Sequence, residues 1–255
     1  MRTIRTLSCF NRLVRRGSVV RMKKIGLIGG MSWESSALYY RLINEGVRDR
    51  LGGLHSARCV MASVDFAEIE HMQSAGEWAQ AGELLAEEAR SLEAAGAEVI
   101  VLCTNTMHKV SSRIESAVSV PLLHLVDVTR DAIVEAGLRK VVLLGTRFTM
   151  EEQFYRERME ANGVQTVVPD ADGRATVNRV IFEELVLGIV SDESRREFRR
   201  IIESLAAAGA EGVILGCTEI ELLIGEGDVS VPVFASTALH AAAAVDFALA
   251  DGHLA

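Results

Sequence analysis

The chain repeats itself, and a repeat of this kind leaves few folds open. Ser91–Leu102 reads SLEAAGAEVIVL and Ser204–Leu215 reads SLAAAGAEGVIL, with eight of twelve positions identical at an offset of 113 residues. IGLIGG at 25–30 precedes the first copy as VVLLGT at 141–146 precedes the second, and Ser119-Val120-Pro121 follows the first as Ser230-Val231-Pro232 follows the second. A helix end running into a Val/Ile strand is common in α/β proteins, so the short match alone is weak. Three landmarks in one order make duplication the better explanation.

Runs rich in Val and Ile at 25–29, 58–64, 98–103, 121–125, 140–145, 164–168, 211–216 and 231–234 read as strands. Helix-period segments at 34–50, 77–95, 150–161, 178–189 and 192–208 lie between them. Such alternation builds α/β units on a parallel sheet. The unbroken apolar run Val99-Ile100-Val101-Leu102 suits a strand buried on both faces. The expected fold class is therefore α/β: two similar three-layer domains with parallel-type sheets, related by internal duplication. The active site is expected in the cleft between them, where strand C-termini face each other. The expected division gives residues 22–126 plus 237–255 to one domain and 127–236 to the other.

Residues 1–21 stand outside this scheme, with six arginines and no acid. Such a leader is either a transit peptide or the product of an upstream start codon, with Met22 opening the folded chain; the second reading is the simpler. Setting it aside leaves 21 of the 27 Lys and Arg against 35 acids, so the whole-chain net charge of -8 becomes -14. That balance argues against nucleic acid as a partner. No apolar run reaches the ~18 to 20 residues that span a bilayer. Cys9, Cys59, Cys103 and Cys217 are spaced for neither a disulfide framework nor a zinc site, which makes a reducing cytoplasm the default location.

The offset of the repeat aligns Cys103-Thr104-Asn105-Thr106 with Gly216-Cys217-Thr218-Glu219. Thr104 thus pairs with Cys217, each just past a buried strand and entering a helix-like stretch. Helix N-termini at such places stabilise anions, and a thiol there is expected to have a lowered pKa. Cys217 is the cysteine whose context points to catalysis. Cys103, one residue earlier, points to the other face of its strand and reads as an inert core thiol, while Cys9 and Cys59 have no supporting context.

These residues carry a resemblance. Gly29-Gly30-Met31-Ser32, Thr104-Asn105-Thr106-Met107-His108 and Gly216-Cys217-Thr218-Glu219 resemble three motifs of the aspartate/glutamate racemase family, over nearly the whole chain from Met22 onward. The resemblance implies a two-domain α/β enzyme, homodimeric in solution, using neither pyridoxal phosphate nor metal and acting on a small acidic amino acid. In that family two thiols face the substrate α-carbon from opposite sides, one removing the proton and the other returning it. Here the first of those cysteines is replaced by Thr104, as in a branch of L-aspartate/glutamate-specific racemases that also shares the WES, SVDF-x-EIE and CTNTMH strings at 33–35, 63–70 and 103–108. The resemblance then implies Cys217 as the competent base and Thr104 as its weaker counterpart, since a hydroxyl is barely ionised near neutrality. By the same carry-over Met31, Ser32 and Gln73 contact the amino acid, and Asn105, Thr106, Thr218 and Glu219 orient its ammonium and carboxylate. Many aspartate racemases carry an arginine in an I-P-D-R-T string where this chain has Val64-Asp65-Phe66-Ala67-Glu68, without a cation.

Other readings compete. Gly26, Gly29 and Gly30 follow a strand, but G-x-x-G-G lacks the dinucleotide-binding spacing. His108 either assists proton transfer or packs on the following helix. Arg147 is either a carboxylate partner or, more simply, a surface residue, and His124 and Asp127 read as structural. His55, His71, His240 and His253 form no metal-spaced set. Within the fold, a one-thiol decarboxylase or an isomerase of dicarboxylates is the alternative enzyme. Outside enzymes, a two-domain cleft also serves a non-catalytic amino acid-binding protein.

Overall fold

The computed structural model describes residues 21–250, so the reading of the leader at 1–20 lies outside the described residues. Eight strands form two sheets. The first contains β1 (Ile25–Gly29), β2 (Cys59–Ser63), β3 (Val99–Leu102) and β4 (Leu122–Leu123) in the order β2-β1-β3-β4. The second contains β5 (Lys140–Gly145), β6 (Gln165–Val167), β7 (Gly212–Gly216) and β8 (Val233–Ala235) in the order β6-β5-β7-β8. Every pairing is parallel, and the two orders are the same.

The central strands are the unbroken apolar runs of the sequence because helices cover both faces of each sheet. β1, β3 and β7 are buried at every position, whereas the edge strands β2 and β6 alternate with exposed residues. On one face of the first sheet, Tyr39, Ile43 and Val47 of helix Trp33–Leu51 meet Ala241, Ala244 and Val245 of helix Ser236–Leu249. On the other, Leu85, Ala89 and Leu92 of helix Trp78–Ala94 pack on Ile28, Ile100 and Leu102. The second sheet is enclosed in the same way, by Val177, Val180 and Phe198 on one side and by Leu125, Ile133 and Tyr155 on the other.

Duplication extends to individual hydrogen bonds. The Glu98 carboxylate accepts from the Lys24 main chain, and Lys24 Nζ donates to the Ala95 carbonyl. Glu211 accepts from the Lys140 main chain, and Lys140 Nζ donates to Ala208. Ala95 and Ala208, like Glu98 and Glu211, are separated by the offset of the repeat.

All eight expected strands are present, with bounds shifted by two residues at most. Two helices differ from expectation. The segment expected over 150–161 is two helices, Arg147–Glu151 and Gln153–Glu160, parted by an extended Glu152. The one expected from 178 begins at Ala171, because Asp170 caps it by accepting from Gly173 N at 2.9 Å. Helices Phe66–Ala75, Ser111–Ala117, Leu125–Glu135 and Ser236–Leu249 complete the set of longer connections and flanking helices. Among the described residues no helix is long and apolar enough to cross a membrane.

Candidate active site

In each sheet the connections leave in opposite directions from the two central strands, and a crevice opens at such a switch point beyond their carboxyl ends. The turns after β1, β3, β5 and β7 converge on one cleft. Met31 and Ser32 enter it from the β1 turn, and Thr104, Asn105 and Thr106 from the β3 turn. Cys217, Thr218 and Glu219 enter from the β7 turn, and Gln73 from helix Phe66–Ala75. All nine residues singled out in the sequence line this cleft.

Local chemistry fixes each turn. Gly30 has φ +97°, and a Cβ there would lie 2.2 Å from the Val64 carbonyl oxygen, so only glycine lets β1 bend toward Ser32. Ser32 then caps helix Trp33–Leu51 by accepting from Ser35 N at 3.2 Å. After β3, Thr104 N donates to the Leu102 carbonyl at 2.9 Å. Asn105 donates to Ser236 Oγ at 3.2 Å, and Gln73 Nε2 approaches Met107 Sδ at 2.9 Å. Thr106 Oγ1 meets Thr146 Oγ1 at 3.2 Å, a contact between the two sheets' turns.

Glu219 holds the β7 side together. Its Oε2 accepts from the Cys217 thiol at 2.9 Å and from Thr218 Oγ1 at 3.0 Å, and its Oε1 accepts from Ser32 Oγ at 3.4 Å. The expectation of a lowered thiol pKa is overturned. Cys217 precedes a five-residue 3₁₀ turn, Thr218–Leu222, that itself carries Glu219 and Glu221. Burial first, and then the Glu219 charge, hold the Cys217 thiol well above the ordinary thiol range. Glu221, two residues on, is an acid pushed up to about 7 by burial.

Cys103 lies behind the cleft wall, fully buried, with Sγ 3.8 Å from the Val101 carbonyl, and burial pushes its thiol up. His108 does not line the cleft; its ring nitrogens meet the Thr104 carbonyl and Leu125 N. Arg147 is exposed and its main chain donates to Asn178 Oδ1 at 2.8 Å. His124 caps helix Leu125–Glu135, and Asp127 is paired with Arg130 and Arg158.

The sequence reading missed the cleft's apolar side, formed by Phe66, Phe148, Ile181, Phe182 and Val186, and its floor at Tyr39 and Thr237. Thr146 was within reach, since it ends the repeated VVLLGT string at the position of Gly30 in IGLIGG. Tyr39 and Thr237 carry no local signal, because long-range packing alone brings them there. Among the described residues the cleft lining contains no Lys, Arg or His, and Glu219 is the one charged residue in it.

The chain is similar to known proteins along nearly its whole described length. Residues 28–244 match the family described as Asp/Glu/Hydantoin racemase. A crystal structure of a Yersinia pestis protein proposed to be an Asp/Glu racemase is 56% identical, covers 89% of this chain and 100% of its own, and superposes with a TM-score of 0.86. An aspartate racemase homologue from Pyrococcus horikoshii is 38% identical, covering 89% and 99% of the two chains with a TM-score of 0.81. The broad specificity amino-acid racemase RacX of Bacillus subtilis is 28% identical over 162 residues, which is 62% of this chain and 68% of RacX.

Proposed function

The chain belongs to the Asp/Glu/hydantoin racemase family, and on that footing we propose that it is an amino acid racemase in which Cys217 and Thr104 exchange the substrate α-proton from opposite walls of the cleft. The observation that carries the reading is the equivalence of these two residues: each is the first cleft-lining residue after a central strand, one in each sheet, at the offset of the repeat. Inversion at carbon needs proton removal on one face and delivery on the other, and a duplicated strand end supplies that pair.

An amino acid α-hydrogen is very weakly acidic, so a strong base is required. The Cys217 thiol passes its proton to Glu219, 2.9 Å away, and the resulting thiolate, kept strongly basic by burial, removes the α-proton. The carbanion is held by hydroxyl and amide donors of Ser32, Asn105, Thr106 and Thr218, which line the cleft. Thr104 Oγ1 gives up its proton to the opposite face and is reprotonated, through water, by the proton that Glu219 took from Cys217; Cys217 keeps the proton taken from the substrate, so the resting protonation is restored. Pyridoxal phosphate has no part in this scheme.

Aspartate and glutamate are the substrates that the resemblance implies, and the Pyrococcus horikoshii homologue supports them. A second reading is favoured by the lining itself: with no cation among the described residues and with six apolar side chains, Met31 among them, the cleft suits amino acids with uncharged side chains, in keeping with the broad specificity of the Bacillus subtilis relative. The test is incubation in deuterated water with L-aspartate, L-glutamate, L-leucine and L-methionine, following α-deuterium by NMR and the D-enantiomer by chiral chromatography. Exchange with inversion supports the racemase, and the ratio of acidic to uncharged substrates decides specificity. Binding without exchange would favour an amino acid-binding protein, and a Cys217→Ser variant that keeps most of the exchange rate sinks the role given to Cys217.

A further inference from the structure

The repeat that pairs Thr104 with Cys217 also pairs His108 with Glu221, at the same offset. Neither lines the cleft, and both are titratable side chains set behind it. His108 is 2% exposed. One ring nitrogen, Nδ1, lies 2.8 Å from the Thr104 carbonyl oxygen; the other, Nε2, lies 3.2 Å from the main-chain nitrogen of Leu125. A carbonyl only accepts and a main-chain N–H only donates, so Nδ1 carries the hydrogen and Nε2 is bare. His108 is therefore neutral in a single tautomer with both nitrogens engaged, and it has no proton to trade with the substrate. Its ring faces His124 and His240 at 4.6 and 5.8 Å; burial and these two histidines keep its pKa well below the ordinary range.

Leu125 opens the helix that follows β4, and its N–H is one of the donors a helix start leaves unpaired. Glu221, the counterpart in the other half, has its Oε1 buried without a hydrogen-bond partner, so the tie is made in the first half alone. There His108 joins the turn bearing Thr104 to the start of the helix after the next strand.

We propose that His108 is a positioning residue that fixes the turn carrying Thr104. The inference rests on the assignment of Thr104 and Cys217 as the two proton-transfer groups. A hydroxyl is a poor proton-transfer group unless it is well placed, and a displacement of about 1 Å can cost ~100-fold in rate.

The experiment resolves the two faces in deuterated water, starting from the enantiomer whose α-hydrogen faces Cys217. Retention exchange reports Cys217 alone; inversion requires Thr104 as well. His108→Gln, which withdraws the donor from the Thr104 carbonyl, is expected to lower the ratio of inversion to retention exchange at least ten-fold. His108→Asn, whose amide can stand where Nδ1–H stands, is expected to restore that ratio to within three-fold of wild type. Loss without any change of ratio in the His108 variants, or no rescue by Asn, overturns the proposal. A measurement on the unmutated protein guards against variants that fail to fold: nitrogen-15 NMR of the histidines must show His108 neutral with the proton on Nδ1, and a proton on Nε2 overturns it. Thr104→Val is the control for the underlying assignment, because inversion at the wild-type ratio in that variant removes Thr104 from the reaction, independently of what His108 holds.

Discussion

Cys217 donates its thiol hydrogen to Glu219 across 2.9 Å, and the same carboxylate reaches across the cleft to Ser32. One acid therefore sets the protonation of the thiol and links the third sequence motif to the first. Its charge raises the thiol pKa while its oxygen offers the proton somewhere to go.

Those two effects separate in Glu219→Gln. The amide removes the negative charge, so the thiol pKa is expected to fall, and iodoacetamide alkylation of Cys217 should reach half-maximal rate at lower pH than in the wild type. Racemisation is expected to drop on the order of 100-fold, because general-base assistance is typically worth ~10² or more. An unchanged or higher alkylation midpoint would remove Glu219 as the source of the shift.

Gly30→Ala tests the geometry of the first turn. The added Cβ would sit 2.2 Å from a main-chain oxygen, at a φ that side chains avoid. The variant is expected to lose roughly 2 to 3 kcal/mol of stability in urea unfolding, with substrate affinity falling because Met31 and Ser32 move. Gly52→Ala, also at positive φ but with nothing within 4 Å, isolates the backbone effect from the clash and should cost about 1 kcal/mol.

The repeat made much of this architecture readable. Eight of twelve matching positions specify two equivalent strands, and equivalent strands on duplicated sheets put Thr104 and Cys217 into one cleft. The motif strings located the polar wall because each follows a central strand directly. The apolar wall was not readable: Phe182 and Val186 stand at a helix end and in a 3₁₀ turn set by the cap at Asp170 and by Gly188 with φ +74°. The direction of the Cys217 pKa shift was misread because a helix start was expected, whereas a short turn with two acids beside a buried sulfur follows the strand.

Glu221 makes stability fall as pH rises. Its folded-state pKa is about 7, raised by burial from 4.5, so between those values the folded protein binds more protons than the unfolded chain. The contribution is complete below pH 4.5, lost progressively up to about 7, and on the order of 3 kcal/mol in all. Urea unfolding of Glu221→Gln against wild type should show the difference in stability moving in favour of the variant from pH 4.5 to pH 8. A constant difference across that range would mean that Glu221 titrates normally.

His240 acts in the opposite sense. Its Nε2 lies 2.8 Å from the Leu123 carbonyl and so carries the hydrogen, which leaves Nδ1 to accept from Tyr39 Oη at 2.9 Å. Burial lowers its pKa to about 4 from 6.5, so the unfolded chain takes up the proton first as pH falls. Stability supplied by the neutral ring is complete above pH 6.5 and is lost toward pH 4, again on the order of 3 kcal/mol. In His240→Gln, which keeps a donor for Leu123 but does not titrate, the wild-type loss between pH 6.5 and 4 should shrink by that amount relative to pH 8. The groups that face the ring are Tyr39 and His108; burial holds the phenol well above its ordinary range and the histidine well below its own. Equal acid sensitivity of the two proteins would mean that the ring titrates in the native state as it does in the unfolded chain.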